Sequence, residues 1–377
     1  MILTEITING TVNRVSFDGH ALTYNWKPRI INLDAPTLAL PSDYGGFGQM
    51  SFGKISFNPE LFSNDWPPPV VCPISIYYTD TTEAARELVF SGTAHLSEFD
   101  REKIEYNLFG PSYSEQFYIM GVPPLVVGRT YEIVDYKAGD DFLNVGASSN
   151  STGEIFTATG TTPTTWTNFS QLAPHYDTTL NETVEDILSV ITEIATLDTT
   201  YARSPSPNVL YTLTSTQLAI NLLSNLVQFY SHLLYIEGTT AYLIDMLGDN
   251  GSRTLTEFKF FAFPKYQYKT PVASASAAGF SRFSSYAHGS NISPTPFHST
   301  QANVEDALDD IISLENSPRA VFDFPMIAGN FPKLGEKIAF PDTGTRNNLS
   351  SWIRCRKLTF DFLNDAIKVE GEGNIST

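Results

Sequence analysis

Short runs in which apolar and polar residues alternate, each soon closed by turn-forming residues, constrain this chain more than any other feature. Near the N-terminus Ile6, Ile8, Val12, Val15 and Phe17 alternate with polar neighbours, Asp18-Gly19 is a turn signal, and Leu22, Tyr24 and Trp26 follow. A period of two sends one face of a strand to a core and the other to solvent, so this pattern predicts antiparallel sheet. Further strands are expected over 49–57, 70–78, 88–99 and 103–108, with a tight hairpin turn between Glu98 and Lys103. Trp66-Pro67-Pro68-Pro69 is a stiff connector, because proline cannot donate to a central ladder. Residues 1–115 read as an all-β domain, a barrel or sandwich.

The composition changes after that point. Over 116–178 charged residues thin out beyond Asp141 and Thr, Gly, Ser and Asn dominate. Tyr131, Ile133, Phe142, Val145, Phe156 and Trp166 are enough for a compact apolar cluster, so the segment reads as a small inserted β module with a turn at Gly139-Asp140-Asp141. Residues 179–250 read as a helix–hairpin α+β unit. A first helix starts near Thr179, with Leu180, Val184, Ile187, Leu188, Ile191 and Ile194 on one face and Glu182, Glu185 and Asp186 early in it. A second is expected from Ser215 or Thr216 to about Leu234, then a strand and turn over 235–240 and a return strand over 241–246. Residues 251–377 read as a second β domain with one helix over 303–314, stopped by Ser317-Pro318. Its strands are expected at 321–324, 337–340, 353–363 and 366–371, with Asn364-Asp365 at the last turn. The fold class is therefore mainly β with a few helices, α+β. Hydrophobic residues at 42% against 17% charged provide enough apolar surface to offset chain entropy, and the 13% aromatic share favours strands.

A formal net charge of −18 argues against broad nucleic-acid binding, which needs Lys and Arg to neutralise phosphates. It suits solubility and charge-complementary protein partners. Cys72 and Cys355 are too few for a disulfide framework and match no zinc spacing; two free thiols are expected, with a single disulfide as the alternative. The N-terminal residues read as a strand rather than a signal peptide. No apolar stretch approaches the roughly 18 residues of a membrane span. Asn-x-Ser/Thr triplets at Asn150, Asn168 and Asn291 reflect a composition rich in these residues.

No constellation for catalysis, cofactor or metal emerges, and no residue is assigned to one. Among the six histidines, His20, His95, His175, His232, His288 and His298, none forms a His-x-x-x-His pair, and His232 reads as a hydrogen-bonded histidine within the second helix. There is no Gly-x-Ser-x-Gly elbow and no phosphate loop. Tyr44-Gly45-Gly46-Phe47-Gly48 is the densest glycine cluster; with no helix obviously following, it reads as a flexible interface loop. Asp245 with Asp249-Asn250-Gly251 lacks the alternation of a calcium loop and reads as a plain turn. Glu98, Asp100, Glu102 and Glu105 could supply a glycosidase's carboxylate pair but read better as a solvated hairpin edge.

Two stretches carry a resemblance. Gly128-Arg129-Thr130-Tyr131-Glu132-Ile133, Gly139-Asp140-Asp141-Phe142-Leu143-Asn144-Val145-Gly146-Ala147, then Asn150, Gly153, the run from Phe156 to Thr164 and Trp166, resemble a small module that recurs in bacteriophage tail and tail-fibre proteins. The later organisation is a helix–hairpin unit, strands, an acidic helix, Lys333-Leu334-Gly335-Glu336-Lys337-Ile338, Trp352-Ile353-Arg354-Cys355-Arg356 and Ile367-Lys368-Val369-Glu370-Gly371. It is similar to that of tail hub (baseplate hub) proteins. This resemblance implies a structural, non-enzymatic virion protein without cofactor. It implies two tube-like β-barrel domains per chain and a trimer forming a pseudo-sixfold ring between tail tube or distal tail protein and tail-tip, spike or fibre proteins. Genome DNA would pass through the channel without specific binding. Competing readings are a receptor-binding or fibre-attachment protein, a tail-tip cell-wall hydrolase and a hexameric distal tail adaptor. The module at 116–178 would decorate the outer face, as an inert or stabilising insertion or as a contact with a neighbouring tail protein or a host glycan, on which Tyr131, Trp166 and the Thr-rich turns would stack and hydrogen-bond.

Overall fold

The computed structural model describes residues 2–16, 27–34, 37–39, 45–51, 53–79, 86–111, 113–248, 252–254, 265–267, 270–286, 288–298, 300–325, 331–340, 351–361 and 366–373. Among them the chain is mainly β with three α-helices: α1 (Leu180–Leu188), α2 (Ala219–Phe229) and α3 (Gln301–Glu315).

The first sheet has eight strands in the order Lys27–Pro28, Thr11–Ser16, Ile2–Ile8, Val71–Tyr78, Glu87–Phe99, Ile104–Phe109, Lys54–Phe57 and Ile30–Leu33. Its first hairpin turns at Asn9-Gly10, both with positive φ (48° and 80°), as a two-residue turn matched to strand twist requires. The Asp18-Gly19 signal, with Phe17, His20, Leu22, Tyr24 and Trp26, lies outside the described residues. Along Val71–Tyr78 the predicted alternation holds: Cys72, Ile74, Ile76 and Tyr78 are buried while Val71 and Pro73 are exposed. The two outermost strands are one piece of chain, separated by Arg29. Its N–H donates to Ser16 O (3.1 Å) on one side and its C=O accepts from Asn58 N (2.7 Å) on the other, so the sheet curls back on itself.

The second sheet also has eight strands. Ser252–Thr254, Lys337–Phe340, Ser351–Asp361, Ala366–Glu372, Arg319–Pro325 and Lys265–Gln267 run in that order. Thr37–Ala39 pairs with Ser351–Asp361, and Gln49–Ser51 pairs with Thr37–Ala39. Chain from the N-terminal region thus crosses into a sheet built mostly by the C-terminal third. The two sheets share one apolar core, in which Phe331 meets Tyr78 at a tilt and Phe360 edge-on (5.5 and 5.7 Å between centroids). Cys72 and Cys355 are buried free thiols in that core, and burial pushes both up from the ordinary range.

A second core gathers the three helices against a four-stranded sheet ordered Thr196–Tyr201, Thr240–Asp245, His232–Glu237 and Gly46–Phe47. The N-terminus of α1 falls where expected. Thr179 and Glu182 form a reciprocal capping box, and Val184, Ile187 and Leu188 face the core. The helix ends at Leu188, so Ile191 and Ile194 belong to the following loop.

Two expectations are corrected. The second helix is shorter than the apolar run suggests: Gln217–Leu218 is a strand pairing with Gln116–Phe117, Ser231 turns left-handed (φ 57°), and a strand begins at His232. A buried helix and a buried strand look alike in hydrophobicity, and the cross-strand partners in Thr240–Asp245 decide between them. The glycine cluster is not a loop. Gly46–Phe47 is a buried strand parallel to His232–Glu237, with Gly48 N–H donating to Leu234 O at 2.8 Å; Tyr44 lies outside the described residues. Gly45 has φ +132°, and a Cβ there would stand 2.2 Å from His232 O, so glycine is what lets the two backbones meet.

The strand Gln171–Thr179 pairs on one edge with Thr130–Asp135 of the 116–178 segment and on the other with Asn208–Thr212. A final three-stranded sheet, Phe280–Phe283, Val272–Ala277 and Ser290–Ile292, packs against α3, where Val304, Leu308, Ile311 and Ile312 are buried as their spacing predicts. Asn364-Asp365 and Asp249-Asn250-Gly251 lie outside the described residues.

Candidate interaction site

The six apolar residues expected to cluster in the 116–178 segment do so, joined by Leu125, Ala147, Ala158 and Leu172; Phe142 meets Trp166 edge-on at 5.3 Å. Carboxylates, rather than more apolar surface, hold its loops. Asp140, 1% exposed, accepts from Thr167 N (2.7 Å) and Asn168 N (2.9 Å) on Oδ1 and from Ser170 N (3.0 Å) and Ser170 Oγ (2.8 Å) on Oδ2. Burial opposes its charge, yet the donors of Asn168, Ser170 and Thr167 outweigh it and hold the carboxyl below the usual range. Asp141 accepts from Asn150 Nδ2 (2.9 Å) and Leu143 N (3.1 Å), and Glu154 from Ser148 Oγ (2.7 Å) and Ser148 N (2.8 Å). These acids are engaged in hydrogen bonds within the loops; no group of three or more His, Cys, Asp or Glu fit to hold an ion occurs among the described residues.

This framework decides what the segment shows to solvent. Tyr131 and Trp166, expected to stack on a sugar, are 0% and 7% exposed. The indole N–H of Trp166 donates to Ser170 O, and the Tyr131 hydroxyl accepts from Val126 N. Their size and apolar bodies put them in the small core instead. The side chain that stands out is Phe169, two-thirds exposed and left-handed (φ 63°) between residues pinned by Asp140. A bulky residue in this region is an outlier, and such strain concentrates at functional positions. Val122, Pro123, Pro124, Val126 and Val127 form a second exposed apolar stretch, anchored by buried Leu125. Sequence reasoning did not single out these residues, since Phe169 could equally have filled the core.

The segment is fastened to its neighbours. Arg129, with Phe117 beneath its guanidinium, donates from Nε and Nη2 to Asp186 of α1 (3.0 and 2.7 Å), whose other oxygen accepts from the Tyr176 hydroxyl (2.8 Å). Thr212 Oγ1 donates to Glu132 Oε2 (2.6 Å) and lies 2.8 Å from His175 Nδ1. Because the single hydroxyl proton goes to Glu132, His175 Nδ1–H is the donor to Thr212. That polarity is opposite to what a nucleophilic threonine would need from a base.

The remaining candidates resolve similarly. Asp100 closes its hairpin by accepting from Glu102 N (2.6 Å) and Lys103 N (2.8 Å). Glu105 is paired with Lys54 (2.6 Å) and Lys103 (3.3 Å), and Lys103 also reaches Glu98 (3.6 Å). Glu105 is nearly buried, so this edge is an ion-paired cluster rather than a wholly solvated one. Backbone donors lower the Asp100 carboxyl and Lys54 lowers that of Glu105, whereas a general acid needs its carboxyl raised. Arg203 forks onto Asp245 (3.0 and 3.2 Å) and reaches Asp310 of α3 (2.7 Å), so Asp245 is committed to an ion pair. Fully buried His232 donates from Nδ1 to Tyr230 O (2.7 Å), and desolvation lowers it to about 4, so it is neutral near pH 7. His95 lies edge-on to exposed Phe109 (4.7 Å), His298 is buried with Thr300 and Asn303 as partners, and His288 is exposed. No helix among the described residues is long and apolar enough to cross a membrane.

No family model and no curated protein matches the chain. Among solved structures it is similar in fold to the 43 kDa tail protein of prophage MuSo2 from Shewanella oneidensis, with TM-score 0.51, 10% identity and 98% and 96% of the two chains covered. It is likewise similar to the tail protein from Neisseria meningitidis MC58, with TM-score 0.51, 6% identity and coverage of 99% and 96%. At such identities the likeness is one of fold, extending over the whole chain. The architecture is thus one that tail proteins of this kind also adopt.

Proposed function

We propose that the protein is a structural, non-enzymatic component of a bacteriophage virion tail, a hub that joins copies of itself into a ring between the tail tube and the tail tip. The observation that carries this reading is the pair of eight-stranded sheets sharing one core within a single chain. Three such chains offer six comparable sheets, the number a sixfold tube partner would meet. We read the chain as 1–115 and 251–377 supplying two barrel-like units, with the small β module at 116–178 and the helix–hairpin unit at 179–250 between them. Residues 37–39 and 46–51 tie the first unit to the others. A formal charge of −18 is compatible with a channel that repels DNA phosphates and lets the genome slide.

The mass of the purified chain by native mass spectrometry tests the reading. A trimer is expected. A hexamer would favour a distal tail adaptor, and a persistent monomer at all accessible concentrations would overturn self-assembly. A second reading, receptor binding or fibre attachment through the 116–178 segment, is favoured by the exposed Phe169 and by Val122, Val126 and Val127. Unchanged virion adsorption with Phe169→Ser and Val126→Ser would remove it.

A further inference from the structure

We propose that the strand Phe280–Phe283 is a docking edge for an extended, basic segment of another protein, which adds to the three-stranded sheet as a fourth strand. Among the described residues it is the outer strand, paired only with Val272–Ala277. Ser284 N donates to Ala273 O at 2.9 Å; by the alternation of an antiparallel ladder, Ser281 and Phe283 turn their N–H and C=O groups outward.

Exposed edges are commonly blunted by lysine, proline or a bulge. This one carries none on its outward positions. Phe283 is the most exposed large apolar side chain among the described residues, at 78%, and its cross-strand partner is the small Ser274. Tyr286, also exposed, continues the apolar surface. Ser274 Oγ is engaged with Asn291 (2.6 Å), so the neighbouring strand offers Phe283 no apolar cover.

Charge selects the occupant. Arg282 holds Asp309 of α3 through Nε (2.8 Å) and Nη2 (2.5 Å) and approaches Glu305 (3.6 Å), with Asp306 also close enough to favour its charge. One cation thus faces three carboxylates, and α3 carries Glu305, Asp306, Asp309, Asp310 and Glu315 with no basic residue. An incoming strand at the usual spacing of about 4.8 Å meets a negative flank, which Lys or Arg side chains offset. A second copy pairing through the same strand would bring two acidic α3 helices together, so the occupant is a different protein. Main-chain bonds would supply affinity, and the aromatic knob and acidic flank selectivity.

The inference is independent of the hub reading and is tested on the full chain with a synthetic peptide of alternating Val and Lys. Amide exchange at Ser281 and Phe283 is expected to slow by about tenfold or more at saturation, with binding weakened by salt. Ser281→Pro, tolerable because that N–H faces outward, and Phe283→Ser should each weaken binding by about tenfold or more. Equal binding of a Val/Glu peptide, or of a Val/Lys peptide interrupted by proline, would overturn the proposal. So would binding unaffected by both variants, or protection of these amides that grows with protein concentration without peptide.

Discussion

At the scale of single residues, polar side chains decide where this protein is stiff. Asp140 satisfies the backbone donors of Thr167, Asn168 and Ser170 at once, and its removal leaves all three without that acceptor. Asp140→Ala is expected to cost roughly 2–4 kcal/mol in denaturant unfolding; a loss near zero would mean that other groups hold the loop. Because its folded value is depressed, Asp140 contributes fully above the ordinary carboxylate value of about 3.9 and loses that contribution as pH falls through the lower folded value. His232 acts at higher pH. Its value drops from 6.5 to about 4 on folding, so the unfolded chain binds the proton first and stability falls as pH drops between those limits. The loss is on the order of 3 kcal/mol. Asp245 across the strand and Arg203 beside it are the charged groups that face the ring. In His232→Gln the unfolding midpoint should flatten over that interval, and an unchanged slope would assign the pH dependence to other groups.

Among the secondary-structure elements, local signals were legible where one face of a strand or helix decides its burial. The alternation in Val71–Tyr78 and the capping residues of α1 could be read directly. The end of α2 could not, because buried apolar residues lie on both sides of Ser231-His232, in the helix and in the strand that begins at His232. The short strand Gly46–Phe47 was equally hidden, since it exists only where another strand lies against it. Its dependence on close backbone approach is testable. Gly45→Ala should lower stability by about 3 kcal/mol or more, through a backbone clash that has no side-chain escape. Gly10→Ala, with positive φ but nothing within 4 Å, should cost only about 1 kcal/mol. Thermal unfolding of the two variants separates collision from conformational strain; equal losses would refute the clash. Thr179→Ala, which removes one half of the α1 capping box, is expected to cost about 1 kcal/mol in the same experiment.

Across the whole molecule, the sequence alone determined the class of fold. Period-two alternation, a large aromatic and β-branched share and three short helical stripes leave little besides a mainly β chain with a few helices, and this pattern is local. It also pointed to an apolar cluster in the 116–178 segment, because six large apolar residues in a polar stretch are enough for a small core, while leaving open whether Tyr131 and Trp166 belong to it or to the surface. Which chain lies beside which is a matter of three-dimensional packing: Arg29 joins the two ends of the first sheet, residues 37–39 and 46–51 cross into other sheets, and Arg129 locks onto α1. The same packing settles that Tyr131 and Trp166 are interior rather than a surface platform, and that Phe169 and Phe283 face solvent. A residue's hydrophobicity is a property of its side chain. Its exposure depends on what packs against it from distant parts of the chain, and those contacts leave no local mark in the sequence.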